Sequence, residues 1–507
     1  MKKLTLMPQQ KTIEVEEEKT ILELASDFNF EIDGSCAGNG TCGKCKVRIE
    51  DSMGEREVLA CRHIVSEDLI LWIDRKNDNI KSKTAVFLPE DFSVDEALKT
   101  EAVNSGKRLG VAVDIGTTTV VVMVWDIAEK EVVGVKGTTN PQSVFGADVI
   151  SRINFSNQSK ENLELLHKKI IDCINDAVLE ILEQTGNKPE DIFRYAVVGN
   201  TTMSHLFMGI DPHSLAVLPF EAVFTEGKRF AASDIGLLPK TAEVNLMPNI
   251  ACHVGSDITA GLLTCDVLDN NFNSLYIDIG TNGEIVLNAK GKILVCSTAA
   301  GPAFEGSGIK YGMRAGSGAI EKVEISEQGL VIKTINEKEP IGICGSGIID
   351  LIYELVKAGI VNTRGRLLSE GEGGDRIFTL YESKEKPVFI TQNDIREIQL
   401  AKGAVATGWE LLMMNAGISK EALDTVYIAG AFGSHIDLEK AKGIGLIPNV
   451  ESEKLKSLGN AAGTGASMGL LSNEILHRAE DIRQKAEHIE LSLEPQFLET
   501  YSRNMKF

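Results

Sequence analysis

The chain has 507 residues, and its 73 acidic against 52 basic side chains give a formal net charge of −21 at pH 7. Such acidity repels phosphates, so we expect neither nucleic acid nor an anionic membrane surface as a partner. No apolar run approaches the ~20 residues that cross a bilayer, and the N-terminus lacks a signal-peptide core, which predicts a cytoplasmic location. The 43% hydrophobic content is that of a globular protein, and the length predicts about three domains.

Residues 1–75 predict a small domain made of short strands and one helix. Thr20 and Glu23 have the spacing of a capping box, which predicts a helix over 21–29. Apolar and polar residues alternate in five short stretches that predict strands over 3–7, 12–16, 46–50, 57–61 and 69–73.

Four of the nine cysteines lie close together in this domain, at Cys36, Cys42, Cys45 and Cys61. In a reducing compartment such a group predicts a metal site rather than disulfides. Four thiolates suit either an iron–sulfur cluster or structural zinc. The sequence favours a [2Fe–2S] cluster, because zinc sites more often use two Cys-x-x-Cys pairs. The loop also has glycines that allow a tight turn with backbone N–H donors near bridging sulfides, at Gly38, Gly40 and Gly43.

The order of strands, helix and cysteine loop resembles the β-grasp [2Fe–2S] ferredoxins over residues 1–75. Five residues separate Cys36 from Cys42, which is the spacing of the adrenodoxin-like branch. Residues 76–107 are polar and predict a linker with a short helix at 94–104. The alternative is a long surface excursion of a single domain.

The rest of the chain contains an internal repeat. Segments 109–122 and 275–286 both predict an apolar strand, an Asp-Ile-Gly-Thr turn and a second apolar strand. In these turns Gly116 and Gly280 let the backbone approach an anion, to which adjacent N–H and hydroxyl groups could donate.

Paired elements continue downstream of both hairpins. Segments 195–202 and 426–433 predict a strand, a glycine turn and a helix. Segments 255–263 and 464–471 predict helices with a small-residue face, which would allow two helices to approach closely at a hinge. Within the first of these, Asp257 is either a carboxylate beside the site or an ordinary helix-capping residue.

This set of elements resembles the ATPase superfamily of actin, Hsp70 and sugar kinases (ASKHA), whose ribonuclease H-like α/β body is built twice. The resemblance implies ATPase subdomains at 108–270 and 271–475, followed by a C-terminal tail at 476–507. It implies that Asp114 and Asp278 hold Mg²⁺ through water and that one of them orients the attacking water. The residues it implies for ATP binding are Gly116, Thr117, Thr118, Gly280, Thr281, Asn282, Gly283, Gly301, Gly430, Ala431 and Phe432. Segment 300–306 would lie by the ribose.

A [2Fe–2S] head fused to such a body resembles the reductive activators of corrinoid proteins, and segments 140–153, 300–306 and 344–350 are also similar to that family. The resemblance implies ATP-dependent transfer of one electron from the cluster, which returns Co(II) cobalamin to Co(I) for methyl transfer. The implied ligands of the single cluster are the four head cysteines, since no cysteine follows Cys344.

The implied partners are the corrinoid protein of a methyltransferase or demethylase system and an upstream low-potential electron donor. The resemblance also allows a homodimer. Two other functions remain open from the residues alone. One is ATP-dependent electron activation of another metalloenzyme, and the other is a small-molecule kinase with a redox-sensing ferredoxin domain.

Overall fold

The computed structural model describes most of the chain, in residues 2–7, 11–15, 18–28, 32, 45–72, 88–368, 376–383, 386–430 and 436–507. Seven residues with predicted roles lie outside these ranges, namely Cys36, Gly38, Gly40, Cys42, Gly43, Ala431 and Phe432. The described residues form an N-terminal head and a larger two-part body. Within them, no helix combines the length and the apolar character needed to cross a membrane.

The head is one sheet with a single helix. Its strands are β1 (Lys2–Met7), β2 (Lys11–Val15), β3 (Lys46–Asp51), β4 (Gly54–Leu59) and β5 (Leu69–Trp72), and its helix is α1 (Ile21–Asp27). The strand order is β2-β1-β5-β3-β4, with β1 and β5 parallel and the other neighbours antiparallel. The predicted capping box is confirmed, since the Thr20 hydroxyl accepts from the Glu23 N–H while the Glu23 carboxylate accepts from the Thr20 N–H.

The fourth strand of the head begins earlier than its predicted span of 57–61. A tight turn pairs Asp51 with Gly54, whose φ of 93° is in the region that favours glycine. Strand β4 therefore begins at Gly54 and runs antiparallel to β3. Consequently β4 ends at Leu59, and Cys61 lies in the turn that follows it rather than in the strand.

The first half of the body is a six-stranded sheet with helices on its faces. Its strands are β6 (Leu109–Ile115), β7 (Thr119–Asp126), β8 (Glu131–Thr139), β9 (Ile192–Gly199), β10 (Lys228–Ala231) and β11 (Glu243–Leu246). Its helices are α2 (Glu96–Ser105), α3 (Val149–Ser156), α4 (Lys160–Thr185), α5 (Thr201–Phe207) and α6 (Ser256–Leu262). The sheet order is β10-β11-β9-β6-β7-β8.

The second half contains a matching sheet and two smaller ones. Its strands are β12 (Asn273–Ile279), β13 (Gly283–Ala289), β14 (Lys292–Thr298), β15 (Ala319–Ser326), β16 (Gly329–Thr334), β17 (Gly342–Ile343), β18 (Ile377–Tyr381), β19 (Val388–Thr391), β20 (Thr425–Ala429), β21 (Leu455–Gly459) and β22 (Glu487–His488). Its helices are α7 (Gly345–Lys357), α8 (Gln392–Ala416), α9 (Leu438–Gly443), α10 (Ala461–Leu471), α11 (Asn473–Lys485) and α12 (Phe497–Asn504). The sheet orders are β21-β20-β12-β13-β14-β22, β16-β15-β17 and β18-β19.

The two large sheets confirm the internal repeat. Strands β6-β7-β8 and β12-β13-β14 are antiparallel meanders, and each meander is extended by parallel strands, β9 beside β6 and β20 beside β12. The first strand of each meander is almost fully buried, which explains its unbroken apolar sequence. Both Asp-Ile-Gly-Thr turns therefore occupy the same position in their half.

Helices α6 and α10 join the halves through the small residues noted in the sequence. A Cβ added at Gly465 would lie 2.1 Å from the carbonyl oxygen of Ala260, so only glycine permits this approach. Although α10 follows the sheet of the second half, its Gly469 carbonyl accepts from Arg194 of β9 at 2.9 Å. The Ser467 hydroxyl likewise accepts from Trp125 of β7 at 3.1 Å. The two halves thus share one hydrophobic core.

Part of the predicted linker and the predicted tail pack against the body. The helix expected at 94–104 is α2, which Asp95 caps and which buries Leu98 and Ala102 in the shared core. The residues expected as a C-terminal tail form most of α11 together with β22 and α12. Since β22 pairs with β14 and α12 packs on α8, this segment belongs to the second half.

Candidate functional site

The two Asp-Ile-Gly-Thr turns face each other across one cleft. The Glu305 carboxylate lies between them and accepts hydrogen bonds from Thr118 of the first turn (3.3 Å, Oγ1 to Oε2) and Thr281 of the second (2.7 Å, Oγ1 to Oε1). Hydroxyl groups of both halves are therefore close enough to share one carboxyl group. A phosphate chain of similar charge could take the same donors.

The first turn requires its glycine more strictly than the second. In both turns the glycine N–H closes the hairpin, from Gly116 to the Thr119 carbonyl and from Gly280 to the Asn282 carbonyl, each at 2.9 Å. A Cβ at Gly116 would lie 2.7 Å from the Thr119 carbonyl oxygen, whereas at Gly280 the nearest atom would be 3.6 Å away. Any side chain at position 116 would thus deform the turn.

Segment 140–152, which runs from the end of β8 into the first turn of α3, supports the first Asp-Ile-Gly-Thr turn through hydrogen bonds to its carbonyl groups. Asn140 donates to the Gly116 carbonyl through Nδ2 and to the Thr118 carbonyl through its backbone N–H, both at 2.9 Å. Arg152 Nη2 donates to the carbonyl of Thr117 between them. Since C=O and N–H point in opposite directions across a trans peptide, these bonds direct the N–H groups of Thr117 and Thr118 away from the segment.

Arg152 has no exposed surface, and every one of its nitrogens is bound. Its Nε donates to the Gly146 carbonyl at 2.9 Å, and Nη1 lies 3.3 Å from both Gln142 Oε1 and Met203 Sδ. Burial lowers the pKa of this guanidinium to about 9, so it stays charged at neutral pH. A further side chain, Asn200 at the start of α5, donates to Thr117 Oγ1 at 2.9 Å.

The second turn is positioned by close packing rather than by a polar segment. Gly430 follows β20 with a φ of 96°, and a Cβ there would lie 2.6 Å from the Ile279 carbonyl oxygen and 2.7 Å from Asp278 Oδ1. A Cβ at Gly283 would meet the Thr298 hydroxyl at 2.7 Å. The predicted residues Gly430 and Gly283 therefore border the same cleft as Asp278.

Carboxylates from four different elements crowd the floor of this cleft. Burial and the charges of Asp257 and Asp278 raise the pKa of Asp114 to about 8. Burial and Asp257 raise the pKa of Asp278 to about 7, against an opposing hydrogen bond from Tyr276 at 3.4 Å. Burial raises the pKa of Asp257 to about 6. Burial and the charges of Asp257 and Asp278 raise the pKa of Glu284 well above its usual range. Such a group favours binding of a cation.

The arrangement suits a hydrated cation rather than direct coordination. Among the described residues, no three His, Cys, Asp or Glu side chains are placed to hold one metal ion. Mg²⁺ commonly keeps several waters and binds through one or two carboxylates plus phosphate. Asp257, whose role the sequence left open, therefore stands with Asp114 and Asp278 beside the site.

In the head, the structure brings together the two predicted cluster ligands that it describes. Cys45 and Cys61 are both buried, and their sulfur atoms are 3.2 Å apart, well beyond the ~2.05 Å of a disulfide. The Ala60 N–H donates to the Cys45 carbonyl at 2.8 Å and fixes the two turns to each other. Two adjacent buried thiols at a loop fit half of a four-thiolate site.

The head rests on the same segment that supports the first turn. Helix α1 contacts residues Pro141–Val144, and Val144 packs against the hydrophobic core of the head. Segment 140–152 thus contacts the cysteine-bearing head on one side and the first turn on the other.

Sequence reasoning missed three residues of this site. Glu305 was expected near the ribose with the rest of segment 300–306, whereas its carboxylate contacts the two turns. Asn140 and Arg152 were noted only because their segment resembles a family. All three residues lie in short segments that follow the third strand of a repeated meander, β8 or β14. This placement was the signal that could have indicated them. Gly301 begins the short helical turn Pro302–Glu305 that carries Glu305.

Comparisons with known proteins cover both parts of the chain. A family model for the "2Fe-2S iron-sulfur cluster binding domain" matches residues 4–66, a range that contains all four head cysteines. A model for the "RACo middle region" matches residues 109–270, and one for the "C-terminal domain of RACo the ASKHA domain" matches residues 273–507.

Similar proteins match over nearly the full length. The chain is 31% identical to the corrinoid activation enzyme RamQ of Eubacterium limosum, over 98% of each protein. It is 27% identical to the [Co(II) methylated amine-specific corrinoid protein] reductase of Methanosarcina barkeri, over 77% of this chain and 76% of that protein. A solved structure titled "Reductive activator for corrinoid,iron-sulfur protein" is 31% identical and aligns with a TM-score of 0.74, over 100% of this chain and 98% of that one.

Proposed function

This chain belongs to the family of reductive activators of corrinoid proteins, and from that premise we propose that it uses ATP to return a partner corrinoid protein from Co(II) to Co(I). The observation that carries the ATP dependence is the cleft. Thr118 and Thr281 present hydroxyl groups from two similar halves to one shared acceptor, Glu305, above a group of carboxylates. Two halves whose turns approach a common acceptor in this way suit closure over a nucleotide.

The chemistry explains why a nucleotide is needed. Co(I) corrinoids are strong reductants, whereas plant-type [2Fe–2S] centres have potentials of about −400 mV. For one electron, ~59 mV corresponds to a tenfold change in equilibrium. If the ATP-bound form bound one redox state of the corrinoid protein about a thousandfold more tightly than the other, the potential would shift by roughly 180 mV.

Four cysteines of the head would hold the iron–sulfur cluster, namely Cys36, Cys42, Cys45 and Cys61. When bound, this cluster would supply the single electron, received from a low-potential donor. The described pair, Cys45 and Cys61, supports the assignment because their buried sulfur atoms already lie 3.2 Å apart.

The nucleotide would lie between the two halves. Thr117, Thr118, Thr281 and Asn282 would bind its phosphates, and Gly301 and Gly430 would border its adenosine. Mg²⁺ would be held through water by Asp114 and Asp278, where it would neutralise phosphate charge. The raised pKa values of these two carboxyl groups support this role, because burial and nearby carboxylates disfavour their charged forms and a bound cation would compensate that charge.

The test uses the full chain purified without oxygen, a chemical reductant and an oxidised corrinoid protein. We expect Co(I) absorbance to develop only with MgATP. Cys61→Ser should lose cluster absorbance and Co(I) formation, whereas the control Cys173→Ser, at a buried cysteine of α4, should keep both. Equal Co(I) yield without MgATP would contradict the energised mechanism, and a colourless preparation that contains zinc would contradict the cluster.

A further inference from the structure

In the described part of the chain, the Glu305 side chain hydrogen-bonds to both Asp-Ile-Gly-Thr turns. Its two oxygens accept from the Thr281 hydroxyl at 2.7 Å and the Thr118 hydroxyl at 3.3 Å. Both hydroxyls belong to turns whose glycines and backbone donors suit phosphate. In the nucleotide-free protein this carboxylate therefore occupies a position where phosphate oxygens would bind.

The turn that carries Glu305 is held firmly. Its neighbours Ala303 and Phe304 are buried in the core of the second half, against α7 and α8. Gly306 follows with a φ of 80°, and a Cβ there would lie 2.4 Å from the Met313 backbone nitrogen. Because its backbone has little freedom, Glu305 can yield its position to a phosphate only by a side-chain rotation. Its carboxylate would then stay beside the terminal phosphate.

The other acidic groups of the cleft are less suited to accept a proton from water. Asp114 and Asp278 are placed to hold Mg²⁺ through water, and a bound cation lowers the proton affinity of nearby carboxylates. Their oxygens would then be engaged with the water shell of the ion. Glu305 contacts instead the hydroxyl groups of Thr118 and Thr281, the groups proposed to bind phosphate.

We propose that Glu305 is the catalytic residue that orients and deprotonates the attacking water during ATP hydrolysis, an assignment that rests on the proposed function. Phosphates take over the hydroxyl donors of Thr118 and Thr281, and the released carboxylate accepts a hydrogen bond from water. The water oxygen bonds to the γ-phosphorus while the bond to the β–γ bridging oxygen breaks. ADP keeps that electron pair, and the water proton passes to Glu305 and then to phosphate or solvent.

The experiment separates catalysis from binding in the full-length protein. Single-turnover phosphate release is measured with the protein in excess over MgATP, and affinity is measured by calorimetry with a non-hydrolysable imidodiphosphate analogue. We expect Glu305→Gln to slow phosphate release about 100-fold or more, while the Kd of the analogue changes less than about threefold. Glu305→Ala should regain part of the rate when sodium formate is added, because formate can replace the missing carboxylate.

The matched control is Glu327→Gln, at an exposed glutamate in the turn between β15 and β16, which should behave as wild type. A Glu305→Gln rate of phosphate release within threefold of wild type would overturn the proposal. Glu305 would then serve only to link the two turns by hydrogen bonds. A Glu305→Ala rate that formate does not restore would also overturn the proposal. If wild type hydrolyses ATP without producing Co(I), the proposed function fails while the role of Glu305 stands. If wild type hydrolyses no ATP, both fail.

Discussion

The two phosphate-facing turns have nearly the same sequence and topology, yet they are held by different means. The first turn is fixed by hydrogen bonds from Asn140 and the buried Arg152 to three successive carbonyls. The second is fixed by close backbone packing at Gly430. The difference shows that the repeat preserved the ligand-facing side of the hairpin, while the supporting side diverged.

Because the two turns have different supports, each is connected to a different part of the molecule. The segment that supports the first turn also contacts helix α1 of the head through Pro141–Val144. The second turn makes the shorter of the two hydrogen bonds to Glu305, which lies on the Pro302–Glu305 turn of the same half. We therefore expect changes at the first turn to reach the head and changes at the second to act on hydrolysis.

The largest expected effect comes from removing the buried guanidinium of Arg152. Arg152→Met leaves the Thr117 and Gly146 carbonyls without their donor, and hydrogen bonds to charged groups are worth more than neutral ones. We expect the free energy of unfolding in urea to fall by about 3 kcal/mol and MgATP affinity to fall at least tenfold.

The control for this variant is Arg194→Met, at a second buried arginine that bonds the Gly469 carbonyl and Asn473 away from both turns. It should lose comparable stability and keep more of the nucleotide affinity. If both variants lose affinity equally, Arg152 acts through global stability and the contrast between the turns is wrong.

The second prediction concerns pH and tests whether burial, together with the charges of Asp257 and Asp278, raises the pKa of Asp114. A carboxyl whose folded-state pKa is raised binds more protons when folded than when unfolded. The unfolding free energy of the nucleotide-free protein should therefore fall as pH rises from about 4, the usual aspartate pKa, to the value of about 8 at Asp114.

Asp114→Asn removes this dependence at one position. Relative to wild type, the variant should gain stability with rising pH and exceed it at pH 8 by at least about 1.4 kcal/mol, the equivalent of one pKa unit. Urea unfolding in a chelating buffer at several pH values measures the difference, and saturating Mg²⁺ and nucleotide should reduce it. A difference that does not vary with pH would show that the pKa of Asp114 is not raised in the folded protein.

The sequence predicted the repeated framework well because buried parallel and antiparallel strands leave an apolar pattern that a short glycine turn interrupts. It also predicted α1, since Thr20 and Glu23 form a local capping box. These features depend on neighbours within a few residues. The approach of Cys45 to Cys61 agrees with the predicted four-thiolate site, and the antiparallel pairing of β3 with β4 brings the two ends of that hairpin together.

The supporting contacts could not be predicted in the same way. Glu305 contacts Thr118 across 187 positions of the chain, and only the closure of two halves brings them together. Arg152 was noted only as part of a segment similar to a family, because nothing in the local pattern shows that its side chain turns inward to backbone carbonyls. Long-range polar contacts carry no periodic signal, so they appear only when the fold is known.

A smaller effect should distinguish the two hydroxyls that share Glu305. Thr281→Val removes the shorter hydrogen bond, 2.7 Å, and should lower the unfolding free energy of the nucleotide-free protein by about 1 kcal/mol. Thr118→Val removes the 3.3 Å contact and should cost less. Urea unfolding of both variants without nucleotide provides the comparison. The reverse order would mean that Glu305 is held mainly by the first half.

The smallest effect should come from the contact between head and body. Val144 lies partly buried against the head core, so Val144→Ala should weaken this contact by only about 1 kcal/mol. Its consequence is local, and hydrogen exchange of the α1 amides should become faster while the urea midpoint of the body is unchanged. The control is Val132→Ala, at a valine of β8 that is 42% exposed.

The contact also decides whether the first turn communicates with the head. MgATP should slow α1 exchange in wild type, because the phosphates fix the turn and segment 140–152 transmits that order to Pro141–Val144. In Val144→Ala this protection should shrink while ATP hydrolysis stays at the wild-type rate, since Glu305 and the second turn are untouched. Equal α1 protection by MgATP in both proteins would show that the head senses the nucleotide by another route, and the two turns would then differ in support but not in role.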